Sequence, residues 1–164
     1  MSAIRSTTAV AAIAAVIAGL SLATMLPAAA ASTDPEVIIY RFPGVLDDGS
    51  AGQSGVATSF HCTSFSGAVE IVRIVVRNFD GTLKANVAFP IGHLATKTAS
   101  THSAVLYTED QVFNTGGVNQ GTAAIAATSV NVICTAMTIS ASSTQPTGFA
   151  LRGIRFNPIP GTQE

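Results

Sequence analysis

Two cysteines, Cys62 and Cys134, and three histidines, His61, His93 and His102, are the side chains best suited to metal, redox or nucleophilic chemistry in this chain. Thiolates can hold a metal, attack a carbonyl or join as a disulfide. A zinc site needs three or four convergent ligands, and these histidines show neither HxH nor HxxxH spacing. Cys62 follows His61 directly, but neighbours along a strand leave on opposite faces. Histidines of the surface or of turns are therefore expected, with no metal and no cofactor.

The carboxylates occur as two pairs, Asp47-Asp48 and Glu109-Asp110. Calcium wants six to eight oxygens. Asp47-Asp48-Gly49-Ser50 is the better candidate cation loop, because it also offers carbonyls. The EF-hand pattern is absent, so solvated turn charges are the plainer expectation. No G-x-S-x-G elbow occurs; Gly52-Gln53-Ser54-Gly55 misses the spacing and has no following helix. A hydrolase would have to use His61 or His102 with Ser100, Ser103 or a nearby carboxylate. Gly116-Gly117 and Gly121 precede no helix, so they make turns rather than a phosphate cradle. Tyr40, Tyr107 and Phe113 are the aromatic candidates for contact with a protein or carbohydrate ligand, and no tryptophan is present.

The N-terminus gives these residues a compartment. Arg5 is followed by an uncharged apolar run from Ala9 to Leu26, then Pro27 and the small residues Ala28 to Ala31. That order fits a signal peptide over residues 1–31, cleaved before Ser32. A retained membrane anchor is the alternative, since the run approaches the ~20 residues that span a bilayer. Export places the thiols in an oxidising compartment and favours one disulfide, Cys62–Cys134. The protein is expected to be secreted or periplasmic, with no membrane contact once the signal is removed. Residues 32–164 keep seven of the eight Lys/Arg against nine Asp/Glu. No basic patch arises, so nucleic acid is a poor partner.

The elements that must position these side chains read as strands. Period-2 alternation recurs, broken by Gly, Asn, Asp and Pro, and no helical period stands out. Strands are expected at Val37–Phe42, Val56–Thr63, Val69–Phe79 and Leu83–Phe89, the last two joined at Asp80-Gly81. Further strands are expected at Val105–Tyr107, at Thr122–Thr128 and Ser129–Ser140 (two strands or one long bent one), and at Phe149–Phe156. In Val56–Thr63, Val56, Thr58, Phe60 and Cys62 face inward while Ala57, Ser59, His61 and Thr63 face solvent. Val130, Val132, Cys134 and Ala136 share the other inward face. Seven or eight strands without helices predict a single domain over residues 32–164. It is an all-β antiparallel β-sandwich, immunoglobulin-like in architecture, with one inter-sheet disulfide. The corner tyrosine and core tryptophan of immunoglobulin domains are missing.

The segments Thr58-Ser59-Phe60-His61-Cys62-Thr63, Asn119-Gln120-Gly121-Thr122 and Val132-Ile133-Cys134-Thr135-Ala136 resemble a group of uncharacterised bacterial exported proteins. In that group an HCT strand and a VICTA strand bracket the domain. The resemblance covers most of Val56 to Phe156. It implies a compact exported domain and brings no activity, ligand or catalytic residue with it. The function expected from the sequence is a non-enzymatic structural or binding module of the bacterial envelope. Two rivals stand beside it: a pilus-like subunit that donates Val37–Phe42 to a neighbour's sheet, and a secreted hydrolase.

Overall fold

A computed structural model of the chain describes residues 37–156. The expected signal peptide, residues 1–31, lies outside them. All described elements are strands: β1 (Val37–Asp47), β2 (Val56–Ser64), β3 (Glu70–Arg77), β4 (Leu83–Ile91), β5 (Thr96–Ser100), β6 (Gln111–Val112), β7 (Val118–Ala127), β8 (Val132–Ser140), β9 (Gly148–Leu151) and β10 (Ile154–Arg155). β6 and β10 have two residues each, which leaves eight strands of real length. They form two five-stranded sheets, in the orders β10-β1-β7-β3-β4 and β6-β5-β2-β8-β9. All pairs are antiparallel except β5 with β6. The fold is the expected β-sandwich.

Alternation builds the core. Val72, Ile74 and Val76 of β3 are fully buried, as are Phe60 and Cys62 of β2 and Val132 of β8. Phe42 and Phe60 meet edge to face between the sheets, with ring centroids 6.1 Å apart. β3 and β4 make the hairpin expected at Asp80-Gly81. Gly81 takes φ +83° there, and the Asp80 carboxylate accepts from the Thr82 N–H. β4 runs on through Pro90, which an edge strand tolerates.

The disulfide forms, and both cysteines are buried. It does not link the two sheets, which corrects the sequence expectation. Cys62 lies directly opposite Cys134 in the β2–β8 ladder, so the bond staples neighbouring strands of one sheet. Their Cα atoms are 4.2 Å apart, the spacing of a narrow antiparallel pair. Alternation reports the face a side chain points to; it is blind to which sheet a strand joins.

Four other expectations change. β1 does not stop at Pro43-Gly44 but continues to Asp47, with a register shift between Pro43 and Val45. Val105–Tyr107 is no strand; it belongs to a strap, residues 101–110, that folds over the outer face of β2 and β8. The strap makes a second small core of Ala57, Ala104, Ile139 and Ala141, with Tyr107 and Met137 packed on it. Val130 sits in the β7–β8 turn rather than on the inward face. Finally, the last expected strand splits in two, β9 in one sheet and β10 in the other. Gly153 allows the crossing: a Cβ there would lie 2.4 Å from a Phe42 ring carbon.

Successive strands run up and down, so the connections sort to two ends. The β1–β2, β3–β4 and β6–β7 connections share one end. The β2–β3, β4–β5 and β7–β8 connections share the other, together with the start of β1.

Candidate functional site

At the first of these ends β1 finishes on Asp47, which keeps core parity with Val45 and is 1% exposed. A carboxylate there needs partners, because an unpaired buried charge is costly. The turns supply them. The Gly49 N–H donates to Oδ1 at 2.8 Å, and the Thr115 hydroxyl donates to Oδ2 at 3.0 Å. His102 Nδ1 lies 2.9 Å from Oδ2. The other ring nitrogen, Nε2, donates to the Ser54 carbonyl at 2.9 Å. A carbonyl only accepts, so Nε2 carries hydrogen, and one proton is held between Nδ1 and the carboxylate. His102 is 5% exposed. The expectation of surface histidines and solvated turn charges fails here. Asp47 and His102 form a buried pair that ties three loops together.

The pair borders a cavity of about 240 Å³, also lined by Ser50, Ser103, Asn114 and Gly116. Glycines shape the turns around it. Gly49 and Gly116 have positive φ, and a Cβ at Gly55 would collide with the Asp48 carboxylate. Asp48 itself is exposed and accepts from the Ser50 N–H at 3.1 Å.

Two chemistries are suggested by this corner. Asp47, Asp48 and His102 each offer a ligand atom within 4.8 Å of the others, so the cation loop picked out in the sequence gains a histidine. Both nitrogens of that histidine and both oxygens of Asp47 are already engaged within the protein. Asp47 against His102 also has the geometry of a base and its orienting carboxylate. The serine it meets is Ser54, of the near-miss segment Gly52–Gly55. Ser54 offers Nε2 its backbone carbonyl, while its hydroxyl donates to the Ala51 carbonyl at 2.8 Å. That is a fastening, not nucleophile activation.

The remaining candidates are dispersed. Ser100 donates to Glu109 at 3.2 Å, and the same Glu109 oxygen accepts from the Ala104 N–H, which shapes the strap. Asp110 fixes the foot of the strap, and the Lys97 ammonium hydrogen-bonded to it holds its carboxyl below the usual carboxylate range. His93 accepts from the Gly67 N–H at the opposite end of the sandwich. Cys62 and Cys134 are consumed by their bond. Tyr40 is buried, and Phe113 packs against the core.

His61, expected in solvent, lies half-buried under the strap. Its ring meets Tyr107 edge to face at 4.5 Å, and Nδ1 is 3.1 Å from the Thr98 hydroxyl. Nε2 is buried without a partner, as is the Ser59 hydroxyl on the same face. Burial lowers the His61 pKa below 6.5, so the folded state favours the neutral ring. The sign follows from linkage: as pH falls below about 6.5 the unfolded chain takes up the proton first, so stability is lost. Urea midpoints should therefore fall between pH 7.5 and 5.5, and His61→Gln should flatten that fall. Equal slopes in the two proteins would exclude this role for His61.

Fold and site together define a disulfide-stapled β-sandwich with a buried Asp–His pair at one end. No protein-family model matches the chain, and neither a curated protein nor a solved structure does.

Proposed function

We propose that this chain is a non-enzymatic exported β-sandwich that serves as a structural or binding module of the bacterial envelope. The observation that carries the reading is how the Asp47–His102 pair is used. Every polar atom of the pair is committed to loops of the same domain, which makes it a brace. Export is supported by the sequence of the leader, by a formed disulfide, and by the likeness to exported proteins with HCT and VICTA strands. Among the described residues no helix is long and apolar enough to cross a membrane. Strand donation loses its main support, because the segment it would donate, β1, pairs with β7 and β10 of its own chain.

The hydrolase reading has one specific observation in its favour, the buried Asp47–His102 pair at the edge of a cavity. The two readings separate in one experiment. Purified protein, Ser54→Ala and His102→Asn are assayed on chromogenic esters, glycosides and peptides. A module gives background rates throughout. Turnover that both substitutions abolish, in proteins that still fold, would overturn the reading.

A further inference from the structure

The strap, residues 101–110, covers two polar atoms that it leaves unsatisfied. Ser59 is fully buried and its hydroxyl has no partner; His61 Nε2 is buried and has none either. Both side chains leave β2 on the face that the strap overlies. The other ring nitrogen is well served. The Thr98 hydroxyl lies 3.1 Å from Nδ1, and a hydroxyl can donate to a bare nitrogen or accept from a protonated one. The neutral ring is thus satisfied at Nδ1 in either tautomer, whereas the imidazolium must also donate from Nε2. Under the strap Nε2 finds no acceptor, and an unpaired buried charge is costly.

The charged groups around the ring are engaged elsewhere. β2 and β8 hold no acid or base besides His61 and the two bonded cysteines. β5 brings Lys97, and the strap brings His102, Tyr107, Glu109 and Asp110. Lys97 and Asp110 are bonded to each other, and His102 is bonded to Asp47. One Glu109 oxygen accepts from the Ser100 hydroxyl and the Ala104 N–H. Tyr107 meets the His61 ring edge to face and donates its hydroxyl to Met137 Sδ at 3.1 Å. The fastenings are uneven along the strap. Its ends are tied by the Asp47–His102 pair and by Asp110. Its middle meets the sheet through neutral bonds, that of Tyr107 and that of the Val105 N–H to the Ala141 carbonyl at 2.8 Å. Three of the four residues in the small core beneath are alanines. A segment with so little buried apolar area can open by itself.

We infer that the strap is an acid-operated cover: when His61 takes up a proton, the Tyr107 segment lifts off β2 and β8 while the sandwich stays folded. The main core is built without the strap, since none of residues 101–110 belongs to it. Lifting leaves His61 in the β2–β8 ladder and gives Nε2 water to donate to. Burial holds the His61 pKa below 6.5 in the closed form, and opening returns it to the ordinary value. The open form binds the proton more tightly, so opening is favoured as pH falls below about 6.5. The foot stays latched in that window, because Lys97 holds the Asp110 carboxyl below the usual carboxylate range. The open form shows solvent Ala57, Met137 and Ile139, an apolar strip that the strap otherwise covers. This device goes beyond the proposed function and holds whether or not the chain is exported.

Amide hydrogen exchange of the purified protein tests the cover. The Ala104 and Val105 amides, bonded to Glu109 and to the Ala141 carbonyl, report the strap. Ile74 and Ile125, on the inner strands β3 and β7, report the sandwich. Rates are divided by the chemical exchange rate at each pH. Strap amides should then exchange faster than sandwich amides throughout and respond little to dilute urea, as a small opening does. They should also exchange up to about tenfold faster at pH 5.5 than at pH 7.5, the gain from returning one histidine to its ordinary pKa. His61→Gln, which cannot take the proton, should remove that gain. Three results would overturn the inference. Strap and sandwich amides that share one rate and one urea slope would mean global unfolding. Equal strap rates at the two pH values would mean no switch. A gain that survives in His61→Gln would assign it to another group, such as His102. The first two are read on wild type, so the test stands even if the variant does not fold.

Discussion

Replacing Cys62 and Cys134 together by alanine is expected to lower the unfolding free energy by about 4 kcal/mol. The bond closes a loop between residues 72 positions apart, and long loops leave the unfolded chain the most entropy to lose. The native partners need no help to meet. β2 and β8 pair from Val56↔Ser140 to Ser64↔Val132, so the cysteines face each other through the ladder alone. The cross-link therefore acts on the unfolded ensemble, and the reduced protein should keep its sheet content by circular dichroism. Urea unfolding of oxidised and reduced wild type and of the double variant measures the effect. Reduced wild type and the double variant should unfold at similar, much lower midpoints. An unchanged midpoint on reduction would show that the bond adds no stability, and loss of sheet on reduction would show that it organises the ladder.

That bond also marks where sequence reasoning reached and where it stopped. Period-2 alternation around Phe60 and Cys62, and around Val132 and Cys134, places both sulfurs in the core correctly. Which strands are neighbours depends on long-range pairing that alternation does not encode, so the sheet assignment came out wrong. His61 failed for a related reason. Ala57, Ser59 and His61 do leave on the face away from the main core, but the strap comes back over them. Val105–Tyr107 reads as a short strand rather than a strap, because the packing partners of Ala104 and Tyr107 lie far off in sequence. Asp47 was not legible: the expected strand stopped at Phe42, and register shifts on either side of Val45 break the alternation that would carry a parity on to Asp47. Its partners His102 and Thr115 come from other loops, and no local spacing connects them.

Asp47→Ala should be the most damaging single substitution at the loop end, costing about 3–5 kcal/mol. It removes the acceptor of His102 Nδ1 and of the Gly49 N–H, and leaves the Thr115 hydroxyl only the Gly116 carbonyl at 2.9 Å. An alanine accepts none of their hydrogens. Asp47→Asn should cost less, because its amide oxygen still accepts while its amide nitrogen opposes one donor. Asp48→Ala, at an exposed neighbour, should stay within about 0.5 kcal/mol. The ranking separates a brace from a reserved ion site. Were the two carboxylates kept for a cation, removing either would relieve their mutual repulsion, and apo stability would rise. In a double-mutant cycle, Asp47→Ala and His102→Ala should fall short of additivity, since each alone orphans the other's hydrogen bonds. The loss should also be local before it is global. Without the pair, residues 48–55 lose their fastening through the Ser54 carbonyl, and limited proteolysis should cut there first. Additive costs, with protease cleavage elsewhere, would show that Asp47 and His102 are not one unit.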